Sequence, residues 1–432
     1  MYDECLSVEG IISEIQVRGR YCTYSPKISM ENASFVPSLA LCVPDTCSAS
    51  DVYNFLNASI ATLSRKFHRK FPVLNINYSI ELDTVTCSPP RPASWDLEFL
   101  IFCSILCTFV SFLVVCTICD EYLKKKENEE PDNQIFRTLS KFSLMRNAAA
   151  ILSTKEKKGT LSAIQGLRFF SMAWIVSGHE YVAQFQAVNV NSLDLFWWLR
   201  SWNSLQLFVA PFAVDTFLTL TGFLLSYLFL KNIPKQKTFN VPVFYLYRYL
   251  RLAPLVLVLT LISSIVVPRL GSGPRWHQII TSRMQHCRSE WWTYILFIQN
   301  FNDATYCLPH LWYLSMDMQL FWIAPIILYP LHKKPKLGLA SLVSLVFVSL
   351  IIPAYVIVIN EYPIISYFTE TSVGAEKSKA TMRNAYMMPY ARASPWLVGI
   401  LCGFIMARYN SRPNKVRETI VLHDTSYMQF LN

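Results

Sequence analysis

Blocks of about twenty predominantly apolar residues alternate along this chain with polar segments. An α-helix of about twenty apolar residues is long enough to cross a lipid bilayer, so each block predicts a transmembrane helix. Seven blocks can be read, at 97–119, 161–187, 205–230, 249–268, 311–331, 338–359 and 394–407. The pattern predicts an all-α polytopic membrane protein with about seven transmembrane helices, preceded by a small polar domain at 1–96.

The composition supports the same class of protein. Hydrophobic residues make up 53% of the 432 residues and charged residues only 16%, whereas soluble domains carry about 25% charged residues. This balance excludes both a disordered chain and a soluble enzyme. The net charge of +10 requires no nucleic-acid partner, because the cytoplasmic loops of membrane proteins collect Lys and Arg.

Glycosylation sequons indicate the orientation in the membrane. Three acceptor asparagines, each followed by Ser two residues later, all precede the first apolar block: Asn32, Asn57 and Asn77. Such sequons mark surface segments on the secretory side of the membrane. Residues 1–96 are therefore predicted to form an extracellular or lumenal, glycosylated domain.

The distribution of Lys and Arg indicates the same orientation. With an outer N-terminal domain, the predicted cytosolic segments hold 20 Lys and Arg and the predicted outer loops hold 9, as the positive-inside rule requires. The cytosolic segments include a basic linker at 120–160 and a polar tail at 408–432. We expect an integral membrane protein of the plasma membrane or the secretory pathway.

Cysteines concentrate on the predicted outer side, where the oxidising environment favours disulfides. The candidates are Cys5, Cys22, Cys42, Cys47 and Cys87 in the N-terminal domain, and Cys287 with Cys307 in one outer loop. Five is an odd number, so either one thiol is free or a partner lies beyond this chain. The second interpretation is favoured, because no signal-peptide pattern precedes the polar start of this outer domain. In the alternative, the first apolar block acts as a signal anchor.

Ionisable side chains inside the apolar blocks are costly, at least about 2.5 kcal/mol each at the bilayer centre, and are candidates for function. Arg168 and His179 are eleven residues apart, which places them on one helix face about 16 Å apart. Arg168 is predicted near the cytosolic side and His179 deeper. Arg248 and Arg251 are also predicted at the cytosolic side, where guanidinium groups would bind phosphate bidentately.

Two carboxylates, Asp215 and Asp317, are predicted at middle depth. A buried His beside a carboxylate is the usual general base, so His179 with Asp215 or Asp317 is a candidate catalytic set. The alternatives are that the arginines extend to lipid phosphates, that His179 is a packed core residue, and that each Asp is a structural partner of an Arg. No spacing of His and Cys predicts a metal site.

Four motifs in order resemble those of the membrane-bound acyltransferase 3 family. They are Gly166-Leu167-Arg168 followed by His179, the segment Val214-Asp215 to Leu225, the paired arginines of Tyr247-Arg248-Tyr-Leu-Arg251, and Leu311-Trp312 to Asp317-Met-Gln319. The family usually has Glu where Asp317 stands. Residues 161–407 are therefore predicted to be an acyltransferase 3-like transmembrane domain.

The N-terminal domain resembles the cysteine-rich domain of the nose-resistant-to-fluoxetine family. The matching segments include Gly19-Arg20-Tyr21-Cys22 and Leu41-Cys42-Val43-Pro44-Asp45-Thr46-Cys47. Members of that family join this domain to an acyltransferase 3 membrane region, begin with a signal peptide and have about ten or more spans. The resemblance therefore implies that this chain is incomplete at both ends.

These resemblances imply a membrane-bound acyltransferase of the class that transfers groups other than amino-acyl groups. It would move an acyl group from cytosolic acyl-CoA to an unknown lipid or extracytoplasmic acceptor. Arg168, Arg248 and Arg251 would bind the donor phosphates, and His179 would deprotonate the acceptor or relay the acyl group. Asp215 or Asp317 would orient that histidine. Acyl-CoA is expected as co-substrate, with no bound cofactor or metal and no nucleic acid.

Two other functions stay open at this point. In the first, the protein transports or takes up lipids and small hydrophobic drugs through the same cavity without turnover. In the second, it is receptor-like, and its glycosylated domain binds a partner. The presence of His179 on the face of Arg168 favours the enzyme.

Overall fold

The computed structural model describes most of the chain. The described residues are 2–12, 15–30, 33–35, 39–70, 77–79, 85–87, 95–125, 134–155, 161–185, 192–199, 201–233, 239–271, 276–302, 307–362 and 372–410.

The N-terminal domain combines two helices with short antiparallel strands. The helices are α1 (Tyr2–Ser7) and α2 (Ala49–Lys70), and the strands are β1 (Glu9–Ile12), β2 (Ile15–Tyr24), β3 (Lys27–Met30), β4 (Ala33–Phe35), β5 (Leu39–Pro44), β6 (Asn77–Ser79) and β7 (Thr86–Cys87). The long strand β2 pairs with β1, β5 and β7, while β3 pairs with β4 and β6. A small core that includes Cys22, Val52 and Leu56 fixes α2 against the β2 sheet.

Two disulfides close this domain. Cys5 bonds Cys42, and Cys22 bonds Cys87, its direct neighbour across the β2–β7 ladder. The fifth candidate, Cys47, is unpaired among the described cysteines, so including it among the disulfide candidates is not supported within this chain. The odd number of cysteines thus leaves a half-buried thiol at this position.

The predicted glycosylation sites fall in different environments. Asn57 lies on α2 with an exposed side chain. Asn77 begins the short strand β6, and Asn32 lies outside the described residues. Glycosylation of all three stays a prediction.

After this domain, the described part of the chain is mainly helical. Its helices are α3 (Leu97–Lys125), α4 (Gln134–Leu139), α5 (Leu144–Leu152), α6 (Ser162–Phe185), α7 (Ser192–Leu199), α8 (Leu205–Phe208), α9 (Pro211–Asn232), α10 (Val241–Leu261), α11 (Val267–Leu270), α12 (Trp276–Ile295), α13 (Trp312–Lys333), α14 (Pro335–Ile359), α15 (Ser372–Thr381) and α16 (Pro389–Asn410). Two π-helical turns, Ile262–Val266 and Met382–Tyr386, join α10 to α11 and follow α15.

Six helical segments of the described chain are long and apolar enough to cross a membrane. They are Leu97–Lys124, Trp202–Asn232, Val241–Leu270, Pro309–Lys333, Pro335–Ile359 and Lys377–Arg408. These correspond to six of the seven predicted blocks. The remaining block, 161–187, corresponds to the 24-residue helix α6 (Ser162–Phe185), which is not among these six.

Ion pairs from the start of α3 to α11 and α12 indicate that α6 crosses the membrane as well. Asp96, just before α3, bonds Arg269 of α11 at 2.6 Å, and Glu98 of α3 bonds Arg288 of α12 at 2.6 Å. The start of α3 and the end of α10 therefore lie on the same side. Crossings by α3, α9 and α10 alone would place those two ends on opposite sides. A further crossing must lie between α3 and α9, and α6 is the described helix that is long enough to provide it.

The centre of the bundle is the contact between α9 and α16, which run parallel. A Cβ atom at Gly222 would lie 2.1 Å from the Trp396 carbonyl oxygen, and one at Gly399 would lie 2.1 Å from the Thr219 carbonyl oxygen. Only glycine allows two helix backbones to approach so closely. The helix α13 packs beside this pair, with Met316 in the same buried core.

Candidate functional site

A cavity of about 440 Å³ opens between α6, α9 and α10. Its volume is within the range of small-molecule sites. In the orientation predicted from the sequence, α9 runs from the outer to the cytosolic side. The lining residues from its second half then place the cavity toward the predicted cytosolic side of the bundle. The lining residues are Arg168, Thr221, Leu224, Leu225, Leu228, Phe229, Asn232, Ile233, Phe239, Phe244, Arg248 and Arg251.

The three arginines predicted from the sequence are therefore neighbours in one cavity. Arg168 comes from α6, and Arg248 and Arg251 come from successive turns of α10. Asn240 caps α10, since its side chain accepts a hydrogen bond from the Val243 amide at 3.2 Å. The helix thus begins eight residues before the predicted block, and both arginines lie inside it.

Arg248 is the arginine with a carboxylate partner. It bonds the carboxylate of Asp317, which is buried in α13, and its guanidinium group lies 4.4 Å from the centre of the Phe321 ring. Its Nε atom is buried and has no hydrogen-bond partner among the described residues. The hydroxyl of Thr221 interacts with both Asp317 and Tyr313. Arg248 is thus held in place by α13, and Thr221 of α9 contacts the same carboxylate.

Arg168 and Arg251 have no ion-pair partner in the described part of the chain. Arg168 is half-buried and Arg251 is exposed in the cavity lining. With one carboxylate for three guanidinium groups, the cavity has an excess of positive charge. Its remaining wall is mainly apolar, with side chains such as Leu224 and Phe229. The arrangement suits an anionic group attached to an apolar or flexible arm.

His179 lies apart from this cavity. It is three helical turns after Arg168 on α6, and its side chain is exposed. The neighbouring Gly178 packs against Ala210, and Trp174 donates a hydrogen bond to the Gln206 carbonyl at 2.9 Å. These contacts place His179 beside the outer end of α9. Among the described contacts, none joins it to Asp215 or Asp317.

Asp215 has a partner that the sequence did not suggest. Arg392 of α16 donates to both carboxylate oxygens, at 2.8 and 2.7 Å, and its guanidinium group lies 4.1 Å from the centre of the Tyr386 ring. Both predicted carboxylates, Asp215 and Asp317, are therefore bonded by arginines. This is the arrangement expected if each Asp is a structural partner of an Arg. Arg392 was missed because the predicted block began at 394, whereas α16 begins at Pro389. The sequence feature that could have indicated this ion pair is the position of Arg392, two residues before the predicted apolar block.

A profile described as "Acyltransferase domain" (Acyl_transf_3) matches residues 161–422, more than half of the chain. The chain belongs to this acyltransferase family. The match begins just before α6 and includes the cavity, His179 and both Asp–Arg pairs.

Two curated relatives from Caenorhabditis elegans are similar to this family member. "Nose resistant to fluoxetine protein 6" is 26% identical over 399 residues, which is 88% of this chain and 48% of the relative. "Regulator of hypoxia-inducible factor 1" is 26% identical over 283 residues, 61% of this chain and 54% of the relative. The chain spans about half the length of each. No solved structure matches it.

The fourth acyltransferase motif, at 311–319, includes buried polar side chains with packing roles in addition to Asp317. Gln319 donates to the Phe297 carbonyl at 2.7 Å and exchanges hydrogen bonds with Asn300, while Ser315 donates to Gln299. These four polar side chains are buried. They fix α13 to the outer loop that the Cys287–Cys307 disulfide closes. No local sequence pattern predicts a role for these side chains, because their hydrogen-bond partners are remote in sequence.

Proposed function

We propose that this protein transfers an acyl group from cytosolic acyl-CoA to an acceptor at the membrane or on its outer side. The observation that carries the proposal is the cavity with three arginines in the cytosolic half of an acyltransferase-family bundle. In this proposal Arg168 and Arg251 bind donor phosphates, because they have no ion-pair partner among the described residues. Arg248 completes the site from its position against Asp317.

The apolar wall of the cavity would bind the flexible part of the donor. Leu224, Leu225, Leu228 and Phe229 follow one another along α9 from middle depth to the cytosolic end. Burial of methylene groups against them would contribute about 0.8 kcal/mol each. The arginines would then set the position of the charged end, while these side chains exclude water from the acyl thioester.

His179 is proposed to act on the acceptor rather than on the donor phosphates. It lies about 16 Å from Arg168 along α6, toward the outer side. Its exposed imidazole would take a proton from an acceptor hydroxyl as a general base. Since Asp215 and Asp317 are bonded by arginines, their proposed role is to fix α9, α10, α13 and α16 around the cavity.

Donor binding is tested with the full chain in membranes, by equilibrium binding of radiolabelled acyl-CoA. Arg168→Ala is expected to weaken binding about tenfold to hundredfold, because it removes charge-assisted hydrogen bonds worth about 1.5–3 kcal/mol. Arg168→Lys should restore part of the affinity, since a point charge does not replace a bidentate fork. Lys231→Ala is the matched control, as it removes an exposed cation at the cytosolic end of α9 that is outside the cavity lining. Equal binding by all variants would reject the donor site.

The role of His179 needs a second readout, transfer of the acyl group. His179→Ala is expected to lower transfer by a factor of about 10²–10⁴ and to leave acyl-CoA binding unchanged. A normal transfer rate in this variant would mean that another group is the base. Because binding and transfer are measured separately, loss of the base and loss of the donor site can be distinguished.

A second candidate function, movement of lipids or hydrophobic drugs without turnover, is favoured by the separation of His179 from both carboxylates. A transport cavity needs no base, and both Asp–Arg pairs would then serve only the packing of the bundle. In that case lipid uptake should survive His179→Ala and fail in Arg168→Ala. The name of the fluoxetine-related relative gives no reaction and does not decide between the two.

A further inference from the structure

The short helix α5 (Leu144–Leu152) in the predicted cytosolic linker exposes an apolar face. At 100° per residue, its four large apolar side chains occupy one arc of about 120°. Met145, Ile151 and Leu152 on this arc are 59%, 82% and 79% exposed, and Leu144 is exposed as well. We call these four side chains the α5 apolar face. Leaving large apolar side chains in water is unfavourable, so this face requires an apolar environment.

The polar side of α5 is fixed to the cytosolic end of α3. Arg146 donates to Asp120, which is only 1% exposed, and Lys124 bonds the same carboxylate at 3.3 Å. The Leu144 amide donates to the Thr117 hydroxyl at 2.9 Å. These contacts hold α5 beside the last turns of the first transmembrane helix, with its apolar face directed away from them.

The turn before α5 reaches further along α3. Phe142 packs edge-to-face on Phe112, with ring centres 5.7 Å apart. Phe112 is thirteen residues before Lys125, the last residue of α3, and therefore about 20 Å from the cytosolic end of the helix. A hydrocarbon core is about 30 Å thick, and Asp120 lies eight residues, about 12 Å, beyond Phe112 on α3. The Phe142 ring is therefore at the depth of the acyl chains.

The charge of α4, α5 and the residues that join and follow them is positive. Residues 134–155 include four basic side chains and no acidic one: Arg137, Lys141, Arg146 and Lys155. The stretch before them has Lys124-Lys125-Lys126 followed by four acidic residues, Glu127, Glu129, Glu130 and Asp132. A basic amphipathic helix next to a transmembrane helix binds acidic headgroups and inserts its apolar face between lipids. A second copy of this surface would instead be repelled by like charge.

We propose that α4 and α5 form a lipid-binding element that attaches to acidic phospholipids of the cytosolic leaflet. The apolar face of α5 and the ring of Phe142 enter the leaflet, while Arg137, Lys141 and Lys155 contact headgroup phosphates. The element would hold the linker between α3 and α6 at the membrane surface, independently of what the cavity binds.

The test places the full chain in nanodiscs of phosphatidylcholine, with or without phosphatidylserine, and measures hydrogen exchange of peptides covering 144–152. Phosphatidylserine is expected to slow exchange at least about tenfold, since each basic residue near an anionic surface contributes about 1 kcal/mol. High salt should remove most of that difference. Exchange of α3 peptides reports whether the bundle remains folded.

Two variants with the same charge change separate insertion from electrostatics. Ile151→Glu places a carboxylate on the apolar face and should abolish the protection, whereas Ala150→Glu, on the polar side of the same turn, should keep most of it. Equal exchange in both lipid compositions would overturn the proposal. Protection that is independent of lipid but rises with protein concentration would also overturn it, and would indicate a second copy as the partner.

Discussion

The close contact between α9 and α16 predicts opposite effects for two Gly→Ala substitutions. Gly222 lies at that contact, where an added Cβ would be 2.1 Å from the Trp396 carbonyl oxygen. Gly166 is also helical, on α6, but an added Cβ there would meet nothing within 4 Å. Replacing glycine by alanine therefore creates a steric clash at position 222. At position 166 it only increases the helix propensity.

The magnitudes follow from the geometry. An ordinary C···O contact is about 3.3 Å, so Gly222→Ala must move the two helices apart by about 1.2 Å. Overpacking of this kind costs about 1–3 kcal/mol, and the rigid backbone partner places it at the upper end. After the helix-propensity gain of about 1 kcal/mol, we expect Gly222→Ala to lose about 2 kcal/mol. Gly166→Ala should gain about 1 kcal/mol.

The assay is unfolding of the purified full chain in micelles, followed by heat and by denaturant. Gly399→Ala provides an additional test, because it would push apart the same helices from the other side. Once the helices have separated, the second substitution should cost less, so the losses of Gly222→Ala and Gly399→Ala should not add. Equal stability of Gly222→Ala and Gly166→Ala would refute the parallel contact described for α9 and α16.

Three further predictions concern the Arg248 pair, a buried tyrosine and the outer disulfide. Arg248→Ala should destabilise the protein by about 3–5 kcal/mol, because it leaves the buried Asp317 carboxylate unpaired. Adding Asp317→Asn to this variant should recover most of the lost stability. If the destabilisations of the two single variants simply added in the double variant, the ion pair would be contradicted. Burial raises the pKa of Tyr294 to about 12, above the unfolded value of about 10, so stability present below about pH 10 should fall as the pH rises toward about 12. Tyr294→Phe should reduce this alkaline loss in unfolding midpoints, and an unchanged pH profile would refute the assignment. Cys287→Ser should cost about 3 kcal/mol, because the bond to Cys307 spans a sequence separation of 20 residues. Reducing agent should lower the unfolding midpoint of the wild type more than that of the variant, which has only the Cys5–Cys42 and Cys22–Cys87 bonds left to lose.

Local sequence determined where the membrane helices lie, and it predicts the direction in which they cross. Continuous apolar runs such as 338–359 leave few alternatives to a spanning helix, because a lipid-exposed backbone must satisfy its own hydrogen bonds. The alternation of charge between loops then sets the orientation. The apolar pattern also predicted helix α6, although this helix contains Arg168 and His179. The ion pairs of Asp96 and Glu98 support its crossing of the membrane.

Only the tertiary structure decided where charged residues are tolerated inside the bundle. Apolar patterning treats Arg248 and Arg392 as ends of helices, since an isolated cation is costly in lipid. In the folded chain each meets an aspartate from a distant helix, Asp317 or Asp215, and the helices extend past the predicted ends. These pairs join residues 69 and 177 positions apart, a separation that no local pattern reports. The carboxylates assigned to catalysis from sequence are thus bonded by arginines, because burying a charge requires a partner.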